Sequence, residues 1–193
     1  MGKVLTVVGA RPQFIKAAAL SRVLRKTQQE ILVHTGQHFD ANMSDVFFEE
    51  LEIPKPDYNL GISGGSHANM TAKMLIAIEE VLLQEKPDLL LIYGDTNSTL
   101  AAALAAVKLH IPIAHVESGN RVGILTNPEE VNRIVADHLS TLRFACVDSA
   151  MGSMEKENLL NNAHLVGDPM LDAFLFYQDK ARNRTMDDLI GLD

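Results

Sequence analysis

The chain is expected to fold as a three-layer α/β unit, a doubly wound and mainly parallel sheet with helices on both faces. Three observations predict this. Short apolar runs alternate with stretches of helical period along the whole sequence. Several runs pass straight into residues that favour helix starts. Two consecutive runs end in an acid: Leu89–Tyr93 leads into Gly94-Asp95, and Ile111–Val116 leads into Glu117. Ligands of open α/β sheets lie in the crevice outside the carboxyl ends of the strands, where helix N-termini favour anionic groups. Acids at two neighbouring strand ends therefore mark a candidate site.

The elements follow in order. Lys3–Val8 reads as a strand running into Gly9-Ala10-Arg11-Pro12, and proline at the start of a helix is a good opening signal. Gln13–Lys26 has helical periodicity in Phe14, Ala17, Ala18, Leu20 and Leu24, and Glu30–His34 is the next strand. Met43–Leu51 predicts a short helix, and Pro54–Gly65, with two prolines and three glycines, a loop. Ser66 or a neighbour caps a long helix to about Glu85, with Met70, Met74, Leu75, Ile78, Val81 and Leu82 as its inner stripe. After the Asp95 and Glu117 units, Asn127-Pro128-Glu129-Glu130 opens a helix to about Ser140. Arg143–Val147 predicts a strand, Ser149–Leu160 a helix, Ala163–Val166 a short strand and Asp168–Arg182 a helix. Residues 1–168 are expected to form one domain, with 169–193 as a C-terminal helix and the start of a connection.

Composition limits the function classes. The 193 residues are 47% hydrophobic and 22% charged, with a net charge of −8, which suits a packed core rather than disorder. No Lys/Arg cluster exceeds Arg22–Lys26, so no nucleic-acid partner is expected. Cys146 is the sole cysteine, which fits a reducing compartment and no disulfide framework. No apolar run nears the ~20 residues of a membrane span. The chain enters a strand without a signal-like segment, so the expected location is cytoplasmic.

Four motifs carry chemistry or imitate it. Gly9-Ala-Arg11-Pro12 stands where a dinucleotide fingerprint would, but one glycine replaces the three that a pyrophosphate approach requires, so no NAD is expected. Arg11 and Lys16 remain as cations that, with the helix start, could hold an anionic ligand. Gly61-Ile-Ser63-Gly-Gly65 matches the nucleophile-elbow pattern without a firm strand before it or a helix directly after. His115-Val-Glu117 is half of a zinc-deaminase signature whose cysteine pair a one-cysteine chain cannot supply, and no metal site is expected. Asn127, Pro128 and Glu130 fit a capping box, which gives Glu130 a structural task and leaves Glu129 for chemistry. Asp95, Glu117 and Glu129 then make a candidate acid/base set, with Arg121, Asn132 and Arg133 near in sequence to orient carboxylates or bind phosphate.

Val7-Val-Gly9-Ala-Arg11-Pro-Gln-Phe-Ile-Lys16, Thr35-Gly-Gln37-His38, Gly94-Asp95-Thr96-Asn-Ser-Thr99, His115-Val-Glu117, Pro128-Glu129-Glu130-Val-Asn132-Arg133 and Val166-Gly167-Asp168-Pro-Met-Leu-Asp172 occur in this order. Together they resemble the non-hydrolysing UDP-N-acetylglucosamine 2-epimerases. The resemblance implies a Rossmann-like N-terminal domain of a GT-B-type architecture, whose second domain is absent from this sequence. It implies interconversion of UDP-GlcNAc and UDP-ManNAc without a cofactor, by elimination of UDP and re-addition with inversion at C2. It places Asp95, Glu117 and Glu129 on the catalytic carboxylates and Arg11, Lys16, Gln37, His38, Arg121 and Arg133 among the substrate-binding residues. A homodimer is implied, as is weak turnover unless a C-terminal half is supplied. Two alternatives stay open: a non-catalytic fragment or accessory subunit keeping the fold, and a hydrolysing relative releasing ManNAc and UDP. Asn120 beside Glu117, Cys146-Val147 in place of a usual Pro-Thr, and Phe39 after Gln37-His38 depart from the family pattern.

Overall fold

The computed structural model describes residues 1–37 and 53–182. The expected helix at Met43–Leu51, His38 and the tail from Asn183 lie outside these residues. Strand β1 (Lys3–Val8) is buried along nearly its whole length, and β2 (Gln29–His34) pairs with it in parallel. Between them α1 (Arg11–Leu24) carries Pro12 in its first turn, where a missing N–H leaves no intrahelical bond unmade.

The Pro54–Gly65 stretch is not entirely loop. Tyr58–Asn59 forms β3, a two-residue edge strand paired with Val33 and His34 of β2. Its pairing is decided by the neighbouring strand, which no local pattern of two residues can reveal. Ser66 caps α2 (His67–Glu85) by accepting a hydrogen bond from the Asn69 amide at 3.3 Å. The remaining elements are β4 (Leu89–Tyr93), α3 (Asn97–Lys108), β5 (Ile113–Val116), α4 (Pro128–Leu139), β6 (Leu142–Ala145), α5 (Asp148–Lys156), β7 (Ala163–Leu165) and α6 (Pro169–Arg182). Helix α5 stops a turn before the expected Leu160, because Asn158 takes left-handed backbone at φ 59° and ends it.

Among the described residues, seven strands form one parallel sheet in the order β3-β2-β1-β4-β5-β6-β7. Alternation along each strand divides the core between two faces. Leu5, Val7, Leu90 and Ile92 pack under Met74, Ile78 and Leu82 of α2 and the alanines Ala101–Ala106 of α3. Val4, Val8, Leu91 and Tyr93 pack on the other face under Phe14, Ala17 and Ala18 of α1, with Tyr177 of α6 against the same cluster. The strand order reverses between β1 and β4, so the crevice at their carboxyl ends is the topological switch point. The turns after β1, β4 and β5 meet there.

Candidate active site

The turn after β4 is fixed from both sides. Gly94 adopts φ 59°, its amide donates to the Val116 carbonyl at 3.0 Å, and its own carbonyl accepts from His115 Nε2 at 2.7 Å. Asp95 follows, and its carboxylate pairs with the Arg133 guanidinium of α4. Asn132, one position earlier on the same helix, donates from Nδ2 to the Asp95 carbonyl at 2.9 Å. Both side chain and backbone of Asp95 are thus held by α4.

Glu117 follows β5 with φ 68°, a left-handed conformation that is uncommon for any residue bearing a Cβ and marks a constrained position. Its carboxylate pairs with Lys16, which reaches across from α1 with only 8% of its side chain exposed. The pair lies over Gly94: a Cβ there would stand 3.3 Å from Glu117 Oε2 and 3.8 Å from Lys16 Nζ. Two carboxylates at neighbouring strand ends, each held by a cation from a different helix, therefore border the Gly94 turn.

Gln13 ties the β1 and β4 turns together. It is 2% exposed, accepts from the Gly9 and Ala10 amides at 2.8 and 3.1 Å, and donates to the Tyr93 carbonyl at 2.7 Å. The N-terminus of α3 is filled by protein groups: Gln37 Oε1 accepts from the Ser98 amide at 3.0 Å and from its hydroxyl at 2.8 Å. A Cβ on Gly9 would fall 2.2 Å from both Ser98 Oγ and Thr35 Oγ1. Gly9 therefore serves the close packing of β1 on α3.

Behind the carboxylates lies a buried charge chain. His115 Nδ1 meets Asp137 Oδ1 at 2.7 Å, with both side chains fully enclosed. Asp137 Oδ2 also accepts from the Gly119 amide at 2.9 Å and from Arg121 Nη1 at 2.7 Å. Arg121 continues to Glu157 through two bonds of 2.8 Å. Burial pushes the Asp137 carboxyl up, but His115, Arg121 and the Gly119 amide together bring it down to about 2. The bond from Arg121 likewise lowers Glu157.

Of the other candidates, Arg11 is exposed on the first turn of α1. Glu129 is exposed at the start of α4, and its carboxylate has no hydrogen-bond partner among the described residues. Glu130 has the structural task expected of it, but with different partners. Asn127 caps the Glu129 amide, and the buried Glu130 carboxylate instead receives the Val122 and Gly123 amides at 2.8–3.1 Å. Ser63 is exposed on a loop, and burial pushes the Cys146 thiol up to about 11, so neither is set up as a nucleophile. Among the described residues no group of three or more His, Cys, Asp or Glu could hold a metal ion, and no helix is long and apolar enough to cross a membrane. A cleft of about 240 Å³ opens beside Asn120, Arg121, Arg133, Ser149 and Ser153.

Asn132 and Arg133 hold Asp95, as their place beside the acids suggests, whereas nothing local marks Asp137 or Gln13 as part of the site. Asp137 finds its side-chain partners 16–22 positions away, and Gln13 reaches the Tyr93 carbonyl 80 positions away.

The profile of the family described as UDP-N-acetylglucosamine 2-epimerase matches residues 22–190. A Pseudomonas aeruginosa UDP-2,3-diacetamido-2,3-dideoxy-D-glucuronate 2-epimerase is 53% identical over 184 residues, covering 93% of this chain and 52% of that protein. A Methanocaldococcus jannaschii UDP-N-acetylglucosamine 2-epimerase is 45% identical over 175 residues, covering 90% of this chain and 48% of its own length. The crystal structure of the M. jannaschii UDP-GlcNAc 2-epimerase with UDP-GlcNAc and UDP superposes with a TM-score of 0.92 at 43% identity, over 94% of this chain and 51% of that one. The chain spans about half the length of the curated relatives it matches.

Proposed function

The chain belongs to the UDP-N-acetylglucosamine 2-epimerase family, and on that premise we propose that it carries the first-domain half of a nucleotide-sugar C2-epimerising site. The observation that carries the reading is that Asp95 and Glu117 border the same Gly94 turn, each facing a cation from a different helix. A carboxylate facing a cation is favoured in its unprotonated form, which is the form a base must have.

The C2–H of a 2-acetamido sugar has no adjacent carbonyl carbon to stabilise a carbanion. Its loss is coupled to departure of the nucleotide from C1: a carboxylate takes the proton, the electron pair forms the C1–C2 double bond, and the C1–O bond breaks to release UDP. Re-addition of UDP to C1, with a proton delivered to the opposite face of C2, gives the epimer. The second face needs its own proton carrier, and Glu129 completes the carboxylate set in this reading. Arg11, on the first turn of α1, and Lys16, on the second, would meet the developing negative charge on the leaving group, with the N-terminus of the helix adding to them. Gln37 and His38 are further substrate contacts. Arg121 and Arg133 act through the acids they hold. Residues 1–168 form the first domain, 169–193 lead into the interdomain connection, and a second half joins them, within a homodimer.

A second reading concerns the sugar. Identity of 53% to the diacetamido-glucuronate epimerase, against 45% to a UDP-GlcNAc enzyme, favours testing a C6-carboxylated substrate beside UDP-GlcNAc. The experiment joins this chain to the second half of the M. jannaschii enzyme and incubates the fusion, and the chain alone, with each nucleotide sugar in deuterium oxide. The expected result is the C2 epimer carrying deuterium from the fusion and little from the chain alone. Free UDP together with the free sugar, ManNAc in the case of UDP-GlcNAc, would point to hydrolysis. Failure of the folded fusion on both substrates would overturn the reading.

A further inference from the structure

We propose that His115 is a positioning residue: doubly protonated and paired with Asp137, it clamps the turn carrying Asp95 against the strand that delivers Glu117. This inference rests on the reading of Asp95 and Glu117 as the reacting acids.

The proton inventory comes from the bond partners. The Gly94 carbonyl can only accept, so His115 Nε2, 2.7 Å away, must carry a hydrogen. Nδ1 faces Asp137 Oδ1, and the other oxygen of that carboxylate is already met by the Gly119 amide and Arg121 Nη1. A carboxylate met by that many donors is held in its charged form and has no proton to lend the ring. Nδ1 therefore donates as well. The charges along the chain then alternate, His115 positive, Asp137 negative, Arg121 positive, Glu157 negative, which is the arrangement that lets a buried charge persist. Arg143 of β6 adds a further cation, with Nε donating to the Asp137 carbonyl at 2.6 Å. Lys16 and Glu117 face one another above the Gly94 turn.

The mechanical consequence follows from which carbonyl is held. The Gly94 carbonyl belongs to the peptide bond leading into Asp95, and His115 stands two positions before Glu117 on β5. One ring thus links the two carboxylate-bearing turns, and Asp137 fixes the ring. Alternation on the strand points His115 away from the face of Val116, and full enclosure of its side chain means it acts through the turns it joins.

The test uses the full chain with nitrogen-15 in histidine and carbon-13 in the carboxyl groups, with His115→Gln identifying the ring signal. Both ring nitrogens should carry protons at neutral pH, and Asp137→Asn should remove the proton from Nδ1 while shifting the Asp95 and Glu117 carboxyl resonances. His115→Gln retains one amide donor and should shift those resonances less than His115→Leu. A bare ring nitrogen in the unaltered chain would overturn the proposal. So would carboxyl resonances that stay in place in Asp137→Asn or, should that variant not fold, equal shifts in the two His115 variants. None of these readouts uses a nucleotide sugar, so a chain that binds none would defeat the functional reading and leave this one standing.

Discussion

Lys16 and Glu117 stand 101 positions apart in sequence and form an ion pair across the switch point, one from the second turn of α1, the other from the residue after β5. The Lys16 side chain is 8% exposed and that of Glu117 25%, so the pair is neither a surface bridge nor a sealed one.

Lys16→Met should therefore cost more than a surface pair. Losing one partner of a fully buried pair costs ~3–5 kcal/mol, and the water that still reaches Glu117 reduces this to about 1–3 kcal/mol. Urea unfolding measures it. Adding Glu117→Gln should recover part of the loss, because the uncompensated charge goes with it.

Gly94→Ala should damage the site more than the fold. A side chain at φ 59° costs about 1–2 kcal/mol, and the new Cβ meets Glu117 Oε2 at 3.3 Å. We expect a drop of a few degrees in Tm and a larger loss of nucleotide-sugar binding, read by calorimetry on the same sample.

The Asp137 network predicts an acid dependence of stability. Its carboxyl is depressed from 3.8 to about 2 in the folded chain. A depressed folded value means that stabilisation is complete above the unfolded value near 4 and is lost as pH falls from there toward 2. The contribution is on the order of 2 kcal/mol. Denaturation followed between pH 6 and 2 should show a steeper loss in the unaltered chain than in Asp137→Asn, which starts lower and has less to lose.

Much of this architecture was legible in the sequence, because parallel strands buried on both faces read as short apolar runs and their helices show a regular stripe. Ser66 as the cap of α2 and the strand Lys3–Val8 followed from local signals alone. The two-residue β3 did not, since its pairing belongs to β2. At the site, the acids at strand ends were visible, and so were Asn132 and Arg133, which hold Asp95, but the ties beneath them were not. The tie from Gln13 to the Tyr93 carbonyl and the ring of His115 on Asp137 join residues that no local pattern relates. Glu130 shows the limit most clearly: position N3 suggested a bond to the cap amide, and the loop at Val122–Gly123 took its carboxylate instead.

Helix α5 offers a test of stability apart from the site. Val147 occupies its N-cap without a side-chain hydrogen bond and is 46% exposed. Val147→Thr supplies the missing acceptor and should add about 0.5–1 kcal/mol, visible as a raised urea midpoint with unchanged slope.

Asp95 and Glu117 are proposed to handle the C2 proton. The most direct test follows deuterium uptake at C2 of UDP-GlcNAc by the fusion of this chain to the M. jannaschii second half, comparing it with its Asp95→Asn and Glu117→Gln variants. That role requires uptake in the unaltered fusion and a loss of at least about a hundredfold in each variant, the usual scale for a lost acid or base. Uptake that persists undiminished in both variants would contradict it.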